Sequence, residues 1–398
     1  MAAVPFDCPI LFIAGTRPEA VKLAPIMHDL AARGQRPLLV ATGQHRHLFA
    51  DALRDFGLNA DHDLGVMAAT PDELVGRLLP PLAGLLRTLR PGWVVVQGDT
   101  SSTLAGAMAA RYAGLRLAHV EAGLRTGGDD PHPEEMHRRL VAQMAQLHFA
   151  PTAAAAAALR REGVCEGIHV TGNSGIDALL MMQARLEADR TLLAAALAPF
   201  RGISPRRPWV VATVHRRENQ GDRLLPILRA LGALAADAEI IIPVHPSPAV
   251  AGPMATVLGD VAGVHLLPPL PYASFVALMG RAALALTDSG GVQEEAPAIG
   301  LPCLVLREAT ERRETLASGN AVLVGRDPAA ITAAARALLA DGSARHAMAE
   351  PAFPYGAGGA AAAISRELLR PGPATWAQSS GSLSRSDGHH RSRPAGRH

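Results

Sequence analysis

Short apolar runs alternate with longer stretches of helical periodicity along most of the chain. In the first half the runs are ILFIAG (10–15), PLLVATG (37–43), WVVVQGD (93–99), LRLAHVEAG (115–123), LHFAPT (147–152) and IHVTGN (168–173). A second series comprises WVVATVH (209–215), AEIIIPVH (238–245), VHLLPPL (264–270), LALTDSG (284–290), PCLVLRE (302–308) and AVLVG (321–325). Near-continuous apolar strands separated by helices predict parallel sheets covered on both faces. The expectation is an α/β protein of two doubly wound domains of similar size, with the Pro-rich turn ISPRRP (203–208) between the two series. The alanine run TAAAAAALRRE (152–162) reads as a strong helix former. From Pro371 the chain turns polar, rich in Ser, Gly and Arg, and is expected to stay disordered because it has little to bury.

Composition narrows the function classes. At 398 residues and 48% hydrophobic content the chain can bury large cores. A net charge of +2 without a basic stripe, and only 4% aromatic residues, argue against nucleic-acid binding. Cys8, Cys165 and Cys303 are scattered and lack metal-site spacing, which fits a reducing compartment. No apolar run reaches the ~18–20 residues that span a bilayer. A cytoplasmic protein is expected, without a membrane partner.

Position carries the main chemical inference. In open parallel α/β sheets, ligands bind beyond the carboxyl ends of the strands. Arg17, Asp99 and Glu121 follow apolar runs in the first series; His215, His245 and Ser289-Gly290-Gly291 do so in the second. Both domains are therefore expected to turn their chemistry to one cleft. Lys22 is the only lysine of the chain and follows a Gly-Thr-Arg turn. A compact ammonium kept among arginines suggests that it meets a phosphate or a carboxylate in that cleft. Lys22→Arg is expected to harm turnover but to change stability little, within ~0.5 kcal/mol.

Asp99 and Glu121 are expected on neighbouring strands, with Glu134 and Arg138 supplied by the PHPEEMHRR segment (131–139). Three carboxylates among arginines suit general acid/base work. Glu135, beside Glu134, reads as a helix-start or surface ion-pair residue. SGGVQEE (289–295) reads as a phosphate cradle at a helix N-terminus, with Glu294 or Glu295 one turn on for a ribose diol. Arg312 and the His215-Arg216-Arg217 run are expected at the same edge.

These phrases together resemble the non-hydrolysing UDP-N-acetylglucosamine 2-epimerases. The matching words are GTRPEAVKLAPI (15–26), GQH (43–45), VQGDTSST (96–103), HVEAGLRT (119–126), PEE with Arg138, VTGN with Ile176-Asp177, HRREN (215–219), SGGVQEEAP (289–297) and PYG (354–356), in the family's order over roughly residues 9–370. The resemblance implies a GT-B-like fold of two Rossmann-like domains facing a central cleft. The N-terminal one (1–180) would carry the catalytic acids and the C-terminal one (181–355) UDP. A helix (356–370) would cross back to the N-terminal domain, and 371–398 would be a tail.

The activity implied is reversible epimerisation at C2 of UDP-GlcNAc to UDP-ManNAc. It would run through UDP elimination to 2-acetamidoglucal and re-addition, feeding cell-surface polysaccharide synthesis. A hydrolysing epimerase and a GT-B glycosyltransferase are the alternatives. No cofactor or metal is implied, and the partner would be a second copy in a homodimer. Residue by residue, Asp99, Glu121 and Glu134 match the catalytic acids, with Lys22, Arg138 and His215 as supporting charges. Arg17, Phe275, Ser289, Gly290, Gly291, Glu295 and Arg312 match the UDP contacts, Phe275 beside uracil. Gln44 and His45 match a segment through which a second substrate molecule activates many bacterial members. The chain departs from the family wording at His137, Ser247 and Arg313, and His47 and Thr70 replace residues often found near that second site.

Overall fold

A computed structural model of the chain describes residues 9–128 and 131–370; the tail from 371 lies outside the described residues. The first sheet is formed by β1 (Ile10–Ala14), β2 (Leu38–Ala41), β3 (His62–Asp63), β4 (Trp93–Gln97), β5 (Leu117–Val120), β6 (Leu147–Ala150) and β7 (Ile168–Val170). The second comprises β8 (Trp209–Thr213), β9 (Glu239–Pro243), β10 (Val264–Leu267), β11 (Leu284–Thr287), β12 (Cys303–Val305) and β13 (Ala321–Leu323). All pairings are parallel, in the orders β3-β2-β1-β4-β5-β6-β7 and β10-β9-β8-β11-β12-β13. Every expected run becomes a strand. The two-residue β3 was not expected, because HD is no apolar run and only pairing with Val40 and Ala41 holds it extended.

Strand order explains where the chemistry can sit. Connections leave β1 in one direction to β2 and β3, then return to the other side at β4, so the β1/β4 boundary is a switch point. The β8/β11 boundary is its counterpart. At such boundaries successive crossovers diverge and open a crevice at the strands' carboxyl ends. Arg17 and Asp99 follow β1 and β4, and His215 and Ser289 follow β8 and β11.

The helix Ser174–Ala188 joins the two units. Ile176, Leu179, Met182 and Leu186 are buried in an apolar cluster that continues through Phe200 and Trp209 to Tyr272 and Val292 of the second unit. A boundary at residue 180 falls inside this continuous helix. The helix Ala360–Leu369 returns to pack on the helices Arg17–Ala32 and Ser174–Ala188, burying Ile364 and Leu368 in the same cluster. Asp177 caps its start: the carboxylate accepts the N–H groups of Gly359 (2.9 Å), Ala360 (3.2 Å) and Ala361 (3.1 Å). A carboxylate is the natural partner for unpaired N–H groups at a helix N-terminus. No helix among the described residues is long and apolar enough to cross a membrane.

Candidate active site

The site begins at the turn after β1. Pro18 opens the helix Arg17–Ala32, and the Glu19 carboxylate accepts the N–H groups of Gly15 (2.9 Å) and Thr16 (2.7 Å). Thr100, in the loop after β4, donates to the other Glu19 oxygen at 2.8 Å. Glu19 therefore ties the first loop to the Asp99 loop. One turn on, buried Lys22 points into the cleft, its Nζ 2.6 Å from Glu121 and 3.0 Å from Glu294 of the second unit. Burial opposes the Lys22 charge, but the two carboxylates outweigh it and lift the ammonium to about 12. Between phosphate and carboxylate as partners for the lone lysine, the structure shows two carboxylates.

Glu121 follows β5 with φ +65°, in the left-handed region that side-chain-bearing residues rarely adopt. The Gln97 amide also donates to its carboxylate, and Arg312 stands 3.6 Å away. Burial and the neighbouring Glu294 raise the proton affinity of Glu121 above that of an ordinary carboxylate, against the pull of Lys22 and Arg312.

Asp99 lies close by, since Gln97 pairs with Val120 across the sheet. It is committed to a different cation: Arg138 donates from Nε at 2.8 Å and approaches from Nη2 at 2.6 Å. Burial would raise the Asp99 carboxyl, but Arg138, with Arg312 and Arg216 beyond it, holds it low. His137, a departure from the family wording, bonds the Asp99 carbonyl through Nδ1 at 2.8 Å. Glu134 sits half-buried in the first turn of the helix Glu134–Met144. Glu135 is not a surface group: it is buried and accepts from Arg138 at 2.9 Å. The reason is helical phase, which turns the second acid of the pair inward onto the residue three places ahead.

The second unit supplies the facing wall. Ser289 precedes the helix Gly290–Ala298, whose first-turn N–H groups have no partner within the helix. A side chain at Gly290 would put Cβ 2.8 Å from Arg312 Cζ and 3.1 Å from Arg216 Nη2, so only glycine lets both guanidiniums close over this turn. Gly291 is under no such constraint. Positive side chains over a helix N-terminus suit a pyrophosphate.

Glu294 and Glu295 separate completely. Glu295 accepts from the Tyr272 hydroxyl at 2.9 Å, and burial pushes its carboxyl up to about 7. Arg17 reaches this corner from the first unit: burial lowers its guanidinium, while Glu295 and Asp55 hold its charge. Phe275 lies one turn beyond Tyr272, partly buried against the shared apolar cluster. Glu294 instead turns to the cleft. It accepts from Lys22, from Asn173 at 2.9 Å, and from Arg312 through Nε at 2.9 Å and Nη2 at 2.8 Å.

His215 stacks on His245, with ring centroids 5.6 Å apart. Burial lowers the His215 imidazole, and the carboxylate of Asp288, 3.6 Å away, offsets part of that. Asp288 accepts the backbone N–H groups of His215 and Arg216 and the Asn219 amide, fixing the loop after β8. Gln44 accepts from Ser102 at 2.8 Å, while His45 is exposed.

The structure thus gathers Lys22, Glu121 and Arg312 into one cluster and Asp99 and Arg138 into a second beside it. Arg17 and Glu295 form a third corner. The UDP-N-acetylglucosamine 2-epimerase family model matches residues 28–369. The chain belongs to the UDP-N-acetylglucosamine 2-epimerase family. A probable UDP-N-acetylglucosamine 2-epimerase of Ralstonia solanacearum is 43% identical over 369 residues, covering 90% of this chain and 98% of the relative. The Escherichia coli K12 UDP-N-acetylglucosamine 2-epimerase is 40% identical, with the same coverage. Among solved structures, the Neisseria meningitidis UDP-GlcNAc 2-epimerase bound to UDP-GlcNAc superposes with a TM-score of 0.87 at 36% identity, over 91% of this chain and 99% of the other. The Methanocaldococcus jannaschii enzyme in complex with UDP-GlcNAc and UDP gives 0.81 at 32% identity, over 90% and 98%. Like these epimerases, the chain is built as a GT-B-like pair of Rossmann-like units.

Asn173, Gln97, Asp288, Glu19 and the cleft-facing role of Glu294 were missed by sequence reasoning. Gln97 and Asp288 carried a usable signal, as polar residues at the ends of apolar runs. Asn173 ends an apolar run in the same way, but what distinguishes it, and Glu294, is a partner in the other unit, which the sequence does not show.

Proposed function

We propose that this protein interconverts UDP-GlcNAc and UDP-ManNAc by inverting C2, as a cytoplasmic supplier of cell-surface polysaccharide synthesis. The observation that supports the reading most is the juxtaposition of two neighbouring carboxylates, Glu121 and Asp99, at the ends of adjacent strands, and an arginine-covered helix start at Ser289-Gly290-Gly291. One wall has groups that move protons; the other has groups that hold a pyrophosphate.

In this reading Arg312 and the N–H groups of Gly290 and Gly291 hold the pyrophosphate, Glu295 takes the ribose diol and Phe275 borders uracil. Arg17 joins them from the first unit. The C1–O bond breaks with its electron pair leaving on UDP, and the positive charge that develops at C1 makes the C2 proton removable. One carboxylate of the set Glu121, Asp99 and Glu134 takes that proton, leaving 2-acetamidoglucal. A second delivers a proton to the opposite face of C2 while a UDP oxygen re-forms the bond to C1. Lys22, Arg138 and His215 set the charge states of these acids and of the leaving group. Met136 and Leu140, exposed one turn apart on the helix Glu134–Met144, offer an apolar stripe for the expected homodimer.

The test is NMR of UDP-GlcNAc with the pure protein in D2O. The expected result is deuterium at C2 as the two UDP-sugars equilibrate without added cofactor. Conversion with C2 protium fully retained would overturn the elimination route. Free N-acetylmannosamine plus UDP as the sole products would make this a hydrolysing epimerase.

A further inference from the structure

We propose that Glu294 is a positioning residue for Glu121: it claims the cations of the cleft so that Glu121 remains able to hold and release a proton. This rests on the reading of Glu121 as an acid/base group, and it assigns a function to a residue which that reading leaves unused.

The geometry of the two carboxylates is unequal. Glu294 is fully buried and receives four N–H contacts at 2.8–3.0 Å: one from Lys22, one from Asn173 and two from the fork of Arg312. Glu121 receives Lys22 at 2.6 Å and the neutral Gln97 amide, while Arg312 is 3.6 Å away. Charge-assisted bonds from a guanidinium fork hold an anion more firmly than an amide does. Two carboxylates sharing one ammonium titrate as a pair, and the proton goes to the less firmly held one. That one is Glu121.

The charged groups around the pair are few and identifiable. Lys22 faces both acids from the helix Arg17–Ala32, and Arg312 faces both from the turn before the helix Arg313–Ala317. Glu311 shares the Arg312 guanidinium, Glu295 is the next residue on the Glu294 helix, and Tyr355 lies near Glu294 and Arg312. The burial-driven rise of the Glu121 carboxyl and the cation-driven fall of the Glu294 carboxyl agree with this division. Lys22, Asn173 and Glu121 belong to the first unit and Glu294 to the second. The share of the raised Glu121 proton affinity that comes from Glu294, added to the larger share from burial, therefore depends on the contact between the units.

The experiment follows Glu121 directly in protein labelled with 13C at glutamate Cδ, the Glu121 carboxyl signal being assigned by its loss in Glu121→Gln. In Glu294→Gln, which removes a negative charge at constant shape, the Glu121 midpoint is expected to fall by about one unit or more. The matching limb of the kcat/KM pH profile moves with it. Glu294→Asp, which keeps the charge, returns the midpoint towards wild type. A folded Glu294→Gln protein with an unmoved midpoint overturns the proposal.

Should that variant fail to fold by circular dichroism, Asn173→Ser provides the same test. Asn173 Oδ1 caps Gly175 N at 2.8 Å, a bond serine can replace, whereas only the lost amide reached Glu294. A less firmly held Glu294 takes part of the proton, so the Glu121 midpoint falls here too, and no fall overturns the idea. Absence of deuterium at C2 with the wild type would count against the proposed reaction alone, because the carboxyl titration needs no substrate.

Discussion

Lys22 and Glu294 stand 272 positions apart in the chain and 3.0 Å apart in the fold. The contact joins the two units inside the cleft, and it changes what substitution of the lone lysine should do. Sequence alone suggested that Lys22→Arg would spare stability. Yet Lys22 is buried, with its Cε 3.4 Å from the place where a side chain at Gly175 would begin. A guanidinium must push this packing aside and cannot reproduce two contacts built around a point charge. Lys22→Arg is therefore expected to lose turnover and also about 1–3 kcal/mol of stability, the usual cost of overfilling. Thermal melting beside kinetics checks this, and an unchanged Tm with full activity would contradict it.

Glu121 holds a left-handed backbone angle that glycine adopts freely. Glu121→Ala and Glu121→Gly both delete the carboxylate, so comparing them isolates the backbone. The glycine variant is expected to be the more stable by about 1 kcal/mol, with both inactive. Equal denaturation midpoints would show that the angle costs nothing here.

Gly290→Ala tests the cradle. The atoms that an alanine Cβ would meet belong to the ends of Arg312 and Arg216, which can swing, so the fold should survive. The displaced Arg312 would no longer cover the helix start. UDP affinity, by calorimetry, is expected to fall at least tenfold, about 1.4 kcal/mol, and Tm to fall as well, since Arg312 must leave its buried bonds to Glu294 and Glu311. Unaltered affinity would remove Arg312 from the pyrophosphate site.

Glu295 makes ligand binding depend on pH. Its carboxyl is pushed up to about 7 by burial, so it is largely protonated at pH 6 and ionised at pH 8. A carboxylate accepting from a ribose diol binds best ionised. UDP-GlcNAc affinity should therefore rise from pH 6 to pH 8 and flatten above, and Glu295→Gln should abolish the rise. The stability contribution has the opposite sign. A folded-state pKa raised above the unfolded value favours folding fully below ~4.5, and that contribution is lost as pH rises towards 7.

Much of the site was legible because its residues interrupt a simple pattern. Arg17, Asp99, Glu121, His215 and Ser289 each follow an apolar run, and parallel strands place such positions at one edge. What remained hidden was phase and partnership. Glu134-Glu135 and Glu294-Glu295 are identical dipeptides to the eye, yet helical rotation sends one member of each pair to a different neighbour. Glu135 went to Arg138, and Glu294 went across the cleft. Strand β3 was invisible because its two residues have no apolar character and owe their conformation to β2.

The helix that returns at Ala360–Leu369 gives the second unit two attachments to the first. The outgoing and returning segments touch where Asn173 N donates to the Tyr355 carbonyl at 2.8 Å, and a side chain at Gly172 would crowd that same carbonyl. A body fastened once swivels in every direction; fastened twice, it turns about the line through its fastenings. Asn173, whose amide grips Glu294, stands on that line. Glu294, 2.9 Å from Asn173, lies beside that line, so turning the second unit would displace it far less than the outer rim of the cleft.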